Sequence, residues 1–311
     1  MVVLGIDAGG TKTVCLLADD DGRVRASARG PGANLAALGE LEVEKVLYDV
    51  MEQALASQYE VPAVICLGIA GVDRAEDAAV IRGIMRRIGH KAPALVVNDA
   101  LIALEAGAGV GPGIVIIAGT GSICYGRNER GQAARSGGWG PVLADEGSGS
   151  WIGQRTVRAV MRQFDGRGPA TALTPRVLAH FGIAEPQELV QEIYYRDQRR
   201  KLVVSLGGEV EAAAAEGDAV ARQIISEAAA ELVTAAESVA ERLELRGVQF
   251  PLVLAGSIFR VMPSLQADVT ARVAEVAPRS QPSLLDVEPA LGAVHLALAE
   301  ARGGAQIPTY V

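Results

Sequence analysis

The chain has 311 residues, long enough for about two domains of ordinary size with a substantial buried core. Half of the residues are hydrophobic and 21% are charged, and this composition excludes a largely disordered protein. The formal net charge of -8 argues against general binding to nucleic acid or to an anionic membrane, because neither attracts an acidic protein.

The positions of the cysteines and histidines argue against a zinc site and against a disulfide-bonded protein. Three cysteines and three histidines are scattered along the chain and form neither a zinc-binding spacing nor a disulfide framework. Asp7 interrupts the first apolar run too early for a signal peptide, and no apolar run reaches the roughly 18 residues that span a bilayer. We therefore expect a cytoplasmic protein in which Cys15, Cys66 and Cys124 are small buried hydrophobic residues.

The predicted elements begin with a three-stranded meander. Residues 2–7 form an apolar strand, a glycine turn follows, and two β-rich runs lie at 11–19 and 23–30. Because a strand and not a helix follows the glycine turn, this segment differs from Rossmann and Walker phosphate loops. Helices at 40–57 and 75–89 then alternate with apolar strands, which predicts an α/β layer with parallel strands.

A second meander begins at residue 113 and matches the first at an offset of 109 residues. The matched pairs, without gaps, are Gly10 with Gly119, Thr11 with Thr120, Thr13 with Ser122, Cys15 with Cys124, Asp19 with Asn128, and Gly22 with Gly131. Hairpin turns draw on the same few residue types, so turn chemistry accounts for part of the match. We favour a duplication that produces two similar halves facing each other.

The remainder of the chain is predicted to be mainly helical. Helices cover most of 151–245, a buried strand begins near 251, and a final helix spans 288–302. The basic cluster at 196–201 is interpreted as a solvated surface rather than a binding patch.

The two glycine hairpins are candidates for binding a polyphosphate. Backbone N–H groups and hydroxyls from one hairpin in each half can approach opposite sides of such a ligand. Asp7 ends the first strand, where a carboxylate can hold Mg²⁺ through water or cap its own turn. Lys12 either meets a phosphate or lies at the hairpin tip without a ligand.

Six motifs together carry a resemblance. They are DAGGTKT at 7–13, VNDA at 97–100, AGTGS at 118–122, GGWG at 137–140, DEGSGSWIG at 145–153 and LAGS at 254–257. In this order they resemble the N-acetylglucosamine kinase branch of the BadF/BadG/BcrA/BcrD-type ATPases, within the actin, hexokinase and heat-shock ATPase superfamily. The resemblance implies two actin-like, ribonuclease H-like α/β domains with a cleft for ATP and sugar between them.

The resemblance also implies roles for individual residues. The nucleotide-binding candidates are Gly9, Gly10, Thr11, Lys12, Thr13, Gly119, Thr120, Gly121, Ser122, Gly256 and Ser257, and Asp7 would face Mg²⁺. The sugar-binding candidates are Asn34, Asp99, Gly138, Trp139, Gly140 and Asp145. Ala144 departs from the glycine that close relatives often have before the DEGS segment.

Asp99 is the candidate catalytic residue. It ends an apolar strand, and ligands of open α/β sheets gather beyond the carboxyl ends of strands. A sugar hydroxyl needs an acceptor for its proton during phosphoryl transfer, and a lone carboxylate can serve. The alternative is that Asp99 caps the helix that follows it. The resemblance favours catalysis.

The resulting expectation is a sugar kinase with three segments. Residues 1–112 and 113–288 would form the two actin-like domains, and residues 289–311 would carry a helix that packs back on the first domain. The chain would act as a homodimer on an amino sugar, with ATP and Mg²⁺ and without nucleic acid or membrane partners. N-acetylglucosamine, glucosamine, N-acetylmuramic acid and glucose all remain open as the sugar. The alternatives are an ATPase activator with an iron–sulfur cluster and a sugar-responsive or actin-like assembly protein.

Overall fold

A computed structural model describes residues 1–56, 61–72, 74–195 and 203–311. The predicted basic cluster at 196–201 lies outside these residues. The fold contains two mixed β-sheets, each built on a meander followed by parallel strands.

The first sheet has the order β3-β2-β1-β4-β5. Its meander comprises β1 (Val2–Ala8), β2 (Lys12–Asp19) and β3 (Val24–Pro31), which pair antiparallel. The parallel strands β4 (Ile65–Ile69) and β5 (Ala94–Asn98) complete it. The helices of this half are α1 (Leu35–Leu38), α2 (Glu40–Leu55), α3 (Ala75–Arg87) and α4 (Asp99–Ala108).

The second sheet repeats this plan. Strands β6 (Gly113–Ala118), β7 (Ser122–Arg127) and β8 (Gln132–Gly137) form its meander. Two parallel strands extend the other side of β6, and these are β9 (Phe250–Ala255) and β10 (Ser280–Leu284). The order β8-β7-β6-β9-β10 matches that of the first sheet, and β11 (Thr309–Tyr310) is added beside β8.

The helices of the second half are consistent with the predicted helical region. They are α5 (Gly149–Phe164), α6 (Leu173–Phe181), α7 (Leu189–Tyr194), α8 (Gly207–Ala215), α9 (Ala219–Arg242), α10 (Ser257–Val261) and α11 (Pro263–Val276), with a 3₁₀ turn at Pro186–Glu188. A final helix, α12 (Ala290–Ala301), packs against β1 and α4 of the first half. Within the described part of the chain, no helix is long and apolar enough to cross a bilayer.

Alternating side chains divide the core into three clusters. Leu4 and Ile6 of β1 point into an outer core with α2 and α3, whereas Val3 points into a central core with α4 and α12. The opposite face of the second sheet packs on the helices of its own half. Because the period of a strand is two, each buried sheet contributes to two cores, and α4 and α12 lie sandwiched between the sheets.

The hairpin turns confirm the equivalence of the two meanders. Asp19 Oδ1 accepts hydrogen bonds from the N–H groups of Asp21 and Arg23, and Asn128 Oδ1 accepts them from Arg130 and Gln132. Gly22 and Gly131 both have positive φ, at 81° and 70°. Matching residues at the 109-residue offset therefore have the same local structure, which supports duplication.

Candidate active site

The first hairpin tip, Gly9–Gly10–Thr11, is a tight turn between β1 and β2. Gly9 N–H donates to the Lys12 carbonyl at 3.0 Å, and the Gly9 carbonyl accepts from Ala33 N–H at 3.0 Å. A Cβ at Gly32 would lie 2.3 Å from the Gly10 oxygen, so the following loop packs directly on the tip. The N–H groups of Gly10 and Thr11 form no hydrogen bond to any described residue and remain available to an anion.

The second hairpin tip, Gly119–Thr120–Gly121, is held by the start of α5. The Gly119 carbonyl accepts from Gly149 N–H at 2.8 Å, and the Thr120 carbonyl accepts from the Ser150 hydroxyl at 2.7 Å. Neither Thr120 N–H nor Gly121 N–H donates a hydrogen bond within the described ranges. Both tips thus present two adjacent N–H groups.

The tips meet at their threonines. Thr11 Oγ1 and Thr120 Oγ1 are 2.8 Å apart, and their separation along the chain is the 109 residues of the repeat. When two similar units face each other across a twofold axis, a residue on the axis contacts its own equivalent. The two glycine hairpins that the sequence predicted therefore form a single candidate site between the halves.

Thr13 and Ser122 occupy equivalent positions behind the tips. Thr13 Oγ1 donates to the Pro31 carbonyl and Ser122 Oγ donates to the Glu146 carbonyl, both at 2.7 Å. Both residues are buried. These two hydroxyls brace the hairpins against neighbouring loops.

Asp7 and Asp99 lie at the carboxyl ends of β1 and β5, beside the first hairpin. Burial raises the pKa of Asp7 to about 7, the nearby Asp99 carboxylate adds to the rise, and Lys12 opposes it. The helix-capping alternative for Asp99 is wrong, because Asn98 is the N-cap of α4 and its Oδ1 accepts from Ala100 N–H at 2.8 Å. Asp99 is instead the first residue of α4 and is half-buried.

Asn34 lies at the same edge of the first sheet. It caps α1, with Oδ1 accepting from Ala37 N–H at 3.0 Å. Its amide nitrogen faces Gly71, where an added Cβ would lie 3.5 Å away. Gly71 follows the carboxyl end of β4, which lies between β1 and β5 in the sheet. Asn34 therefore lies beside the end of β4, and Asp7 and Asp99 lie at the ends of the two neighbouring strands.

The predicted sugar loop of the second half, residues 138–145, packs beside the second hairpin. Asp145 is buried with a φ of 68°, its Oδ1 accepts from Gly140 N–H at 3.2 Å, and a Cβ at Gly121 would lie 2.7 Å from its Oδ2. Burial raises the pKa of Asp145, although backbone N–H groups oppose this effect. Gly138 and Gly140 have positive φ values and flank Trp139.

Trp139 is the exposed aromatic residue of this loop. It is 55% exposed, and the Arg135 guanidinium lies 3.6 Å from its ring centroid. An exposed aromatic ring held in this way is suited to cover a ligand. Trp151, by contrast, is partly buried against the core of the second half.

Gly256 and Ser257 lie at the end of β9. Gly256 has a φ of 100°, and a Cβ there would lie 2.2 Å from the Ala118 oxygen. The turn therefore packs on the strand end that leads into the second hairpin. Ser257 begins α10 and is exposed.

Comparison with known proteins identifies the family. The profile of the BadF/BadG/BcrA/BcrD ATPase family matches residues 4–297. The chain belongs to this family.

Related proteins of the family and its fold are similar over most of their length. A Clostridium acetobutylicum N-acetylmuramic acid/N-acetylglucosamine kinase is 38% identical, covering 82% of this chain and 85% of the relative. A Dictyostelium discoideum N-acetyl-D-glucosamine kinase is 32% identical, covering 96% and 98%. A Chromobacterium violaceum structure provisionally named an N-acetylglucosamine kinase has a TM-score of 0.74 at 25% identity, covering 96% and 98%.

A more distant structure shares the fold. A Streptomyces griseus ROK family glucokinase, solved with glucose and AMPPNP, has a TM-score of 0.61 at 17% identity, covering 98% of this chain and 100% of that chain. The expected α/β fold with two actin-like domains is confirmed.

The cysteines of this BadF/BadG/BcrA/BcrD family member are confirmed as buried hydrophobic residues. Cys15 lies in the outer core of the first half, Cys66 in the central core and Cys124 in the core of the second half. Burial raises the pKa of Cys15 to about 12 and also raises the pKa of the other two thiols. Metal ligation by cysteine uses the thiolate, which burial disfavours here.

Glu288 also lies at this site, although no sequence motif indicated it. Its carboxylate forms ion pairs with Lys12 and Arg29 beside the first hairpin, each at 2.7 Å. From the sequence, this residue was predicted only to begin the final helix at 288. No local motif connects a residue there with a hairpin more than 270 positions earlier.

Proposed function

We propose that the protein is an ATP-dependent sugar kinase that transfers the γ-phosphoryl group to the 6-hydroxyl of N-acetylglucosamine or a related amino sugar. The contact between Thr11 and Thr120 carries this proposal, because it joins two hairpins with available N–H groups next to the carboxylates of Asp7 and Asp99. The family and the names of its relatives agree with this chemistry.

The polyphosphate would lie along the two hairpin tips. The N–H groups of Gly10 and Thr11 on one side, and of Thr120 and Gly121 on the other, would donate to its oxygens. Thr11 and Thr120 would exchange their mutual hydrogen bond for bonds to phosphate. Gly256 and Ser257 would lie toward the adenosine, and Thr13 and Ser122 would support the hairpins from behind.

The residues present fit a magnesium ion brought with the nucleotide. Asp7 is a buried carboxylate whose pKa is raised by burial and by Asp99, and a cation would relieve both effects. Among the described residues, no group of three or more His, Cys, Asp or Glu could hold a metal ion. Mg²⁺ commonly uses one or two carboxylates with waters and substrate phosphates, and it would neutralise phosphate charge here. Asp7 would hold it through water.

Asp99 would accept the proton of the sugar 6-hydroxyl as its oxygen attacks the γ-phosphorus and ADP leaves. Asn34 would bind the sugar from the first half. Gly138, Trp139, Gly140 and Asp145 would bind it from the second half, with the indole covering one side. Catalysis would depend mainly on positioning and charge neutralisation.

We further propose that residues 1–112 and 113–288 act as the two domains, and that the helix of segment 289–311 belongs with the first domain, on which it packs. We also propose that the protein is cytoplasmic and forms a homodimer. Both assignments remain predictions from the sequence.

A screen of ADP release tests the function. Purified protein with ATP and Mg²⁺ is offered N-acetylglucosamine, glucosamine, N-acetylmuramic acid and glucose separately. We expect sugar-dependent ADP release, fastest with an N-acetylated amino sugar. ADP release that is equal with and without every sugar would favour an ATPase and contradict a kinase.

A further inference from the structure

A short segment crosses from the second half to the first. Residues 285–289 connect β10 of the second sheet to α12, which packs on β1 and α4. Glu288 lies in this segment, with 29% of its side chain exposed.

The Glu288 carboxylate is shared by two cations of the first meander. Lys12 Nζ lies 2.7 Å from Oε2, and an Arg29 guanidinium nitrogen lies 2.7 Å from Oε1. Lys12 pairs with Pro31 and Arg29 pairs with Val14, so the two cations are diagonal neighbours on antiparallel strands. Each carboxylate oxygen therefore has its own cation.

Lys12 is also the cation next to the candidate phosphate site. It follows Thr11 at the hairpin tip, and it lowers the pKa of the buried Asp7 whereas Glu288 raises it. Half of the Lys12 side chain is exposed, and a lysine ammonium is a compact charge on a flexible stem. Lys12 can therefore turn toward a phosphate without movement of the backbone.

We propose that Glu288 is a positioning residue, the counter-ion that holds Lys12 when no nucleotide is bound, and that nucleotide phosphates compete with it for the ammonium group. The inference rests on the proposed function, because it requires phosphates at this hairpin. Arg29 remains on the other carboxylate oxygen when Lys12 leaves, so Glu288 keeps a partner. An exposed ion pair is weak, and we expect the competition to reduce nucleotide affinity only about two- to fivefold.

Calorimetry with the ATP analogue AMPPNP tests this role. Glu288→Gln keeps the shape of the side chain and removes its charge, so AMPPNP should bind about two- to fivefold more tightly. Adenosine, which lacks phosphates, and N-acetylglucosamine should bind with unchanged affinity. In steady-state assays the KM for ATP should fall while the KM for the sugar stays constant.

Two further variants identify the source of the effect. Glu44→Gln breaks a matched ion pair, since Glu44 is also 29% exposed and lies 2.7 Å from Arg87 on the outer helices. This control should leave AMPPNP affinity unchanged. Lys12→Gln should weaken AMPPNP binding, and adding Glu288→Gln to it should then have no effect.

Unchanged or weaker AMPPNP binding by Glu288→Gln would overturn the counter-ion role, as would an equal gain in the Lys12→Gln background. Failure of the parent protein to bind AMPPNP would instead overturn the proposed function itself. The two failures are therefore distinguishable.

Discussion

Asp99 can be tested separately from the helix that it begins. Because Asn98 caps α4, Asp99→Asn leaves the cap in place and replaces the proposed proton acceptor by a neutral amide of the same size. We expect turnover to fall by about 10² to 10⁴, and a loss near 10³ corresponds to roughly 4 kcal/mol of barrier. Coupled ADP-release assays measure the rate, and calorimetry should show retained sugar binding. Turnover within a few fold of the parent would make Asp99 a structural residue.

Asp7 should make the ligand-free protein sensitive to pH. Its folded pKa of about 7 exceeds the ordinary carboxyl value, so the folded state retains a proton that the unfolded state has lost. This contribution to stability is therefore present at acid pH and is lost as pH rises from about 4 to about 7.

Asp7→Asn should remove that dependence. In EDTA and without nucleotide, we expect the variant to be more stable than the parent at pH 8, by an amount on the order of 4 kcal/mol, and nearly equal to it at acid pH. Thermal unfolding at a series of pH values measures the difference. Parallel stability curves for the two proteins across this range would show that Asp7 does not titrate as described.

At the scale of elements, α12 must approach α4 closely. A Cβ at Gly292 would lie 1.9 Å from the Ile102 oxygen on α4, the helix that carries Asp99 at its start. Gly292→Ala should therefore force the helices apart and destabilise the fold by about 3 kcal/mol or more. Turnover should fall with it.

Gly83→Ala is the matched control for this prediction. Gly83 lies within α3, and its nearest contact to an added Cβ is the end of the Arg87 side chain at 3.7 Å. Alanine has the higher helix propensity, so this variant should be as stable as the parent or more stable by up to about 1 kcal/mol. Equal melting temperatures for both variants would contradict the close packing of α12 on α4.

Local patterns predicted much of the element structure. Apolar and β-rich runs bounded by glycine turns located both meanders, helical spacing located the main helices, and the 109-residue offset paired Asp19 with Asn128 correctly. Two edge strands were missed, because β10 has a polar, exposed sequence and β11 has only two residues. The buried hydrogen bonds of Thr13 and Ser122 and the pairing of Glu288 depend on tertiary contacts, which no local pattern encodes.

In the whole molecule, two similar halves meet at the hairpin tips, whereas the proposed sugar loop has exposed apolar side chains. Trp139 is 55% exposed, and Val142 and Leu143 beside it are also exposed. Such a loop gains apolar contacts if the halves close over a sugar and a nucleotide.

Trp139 can report this closure. The protein has two tryptophans, so Trp151→Phe leaves Trp139 as the single fluorophore. We expect AMPPNP and sugar together to shift its emission to the blue and to protect it from acrylamide more than either ligand alone. Trp139→Phe, which retains Trp151, should show a smaller response. An unchanged Trp139 signal with both ligands bound would argue against closure of this loop.

The identity of the product decides whether the protein transfers a phosphoryl group to the sugar 6-hydroxyl. The complete reaction with ATP, Mg²⁺ and N-acetylglucosamine can be followed by ³¹P NMR with proton coupling. We predict one ADP for each sugar phosphate, with the new phosphorus coupled to the two protons on carbon 6. Phosphate on another hydroxyl, or ADP formed with free phosphate and unmodified sugar, would contradict transfer to the 6-hydroxyl.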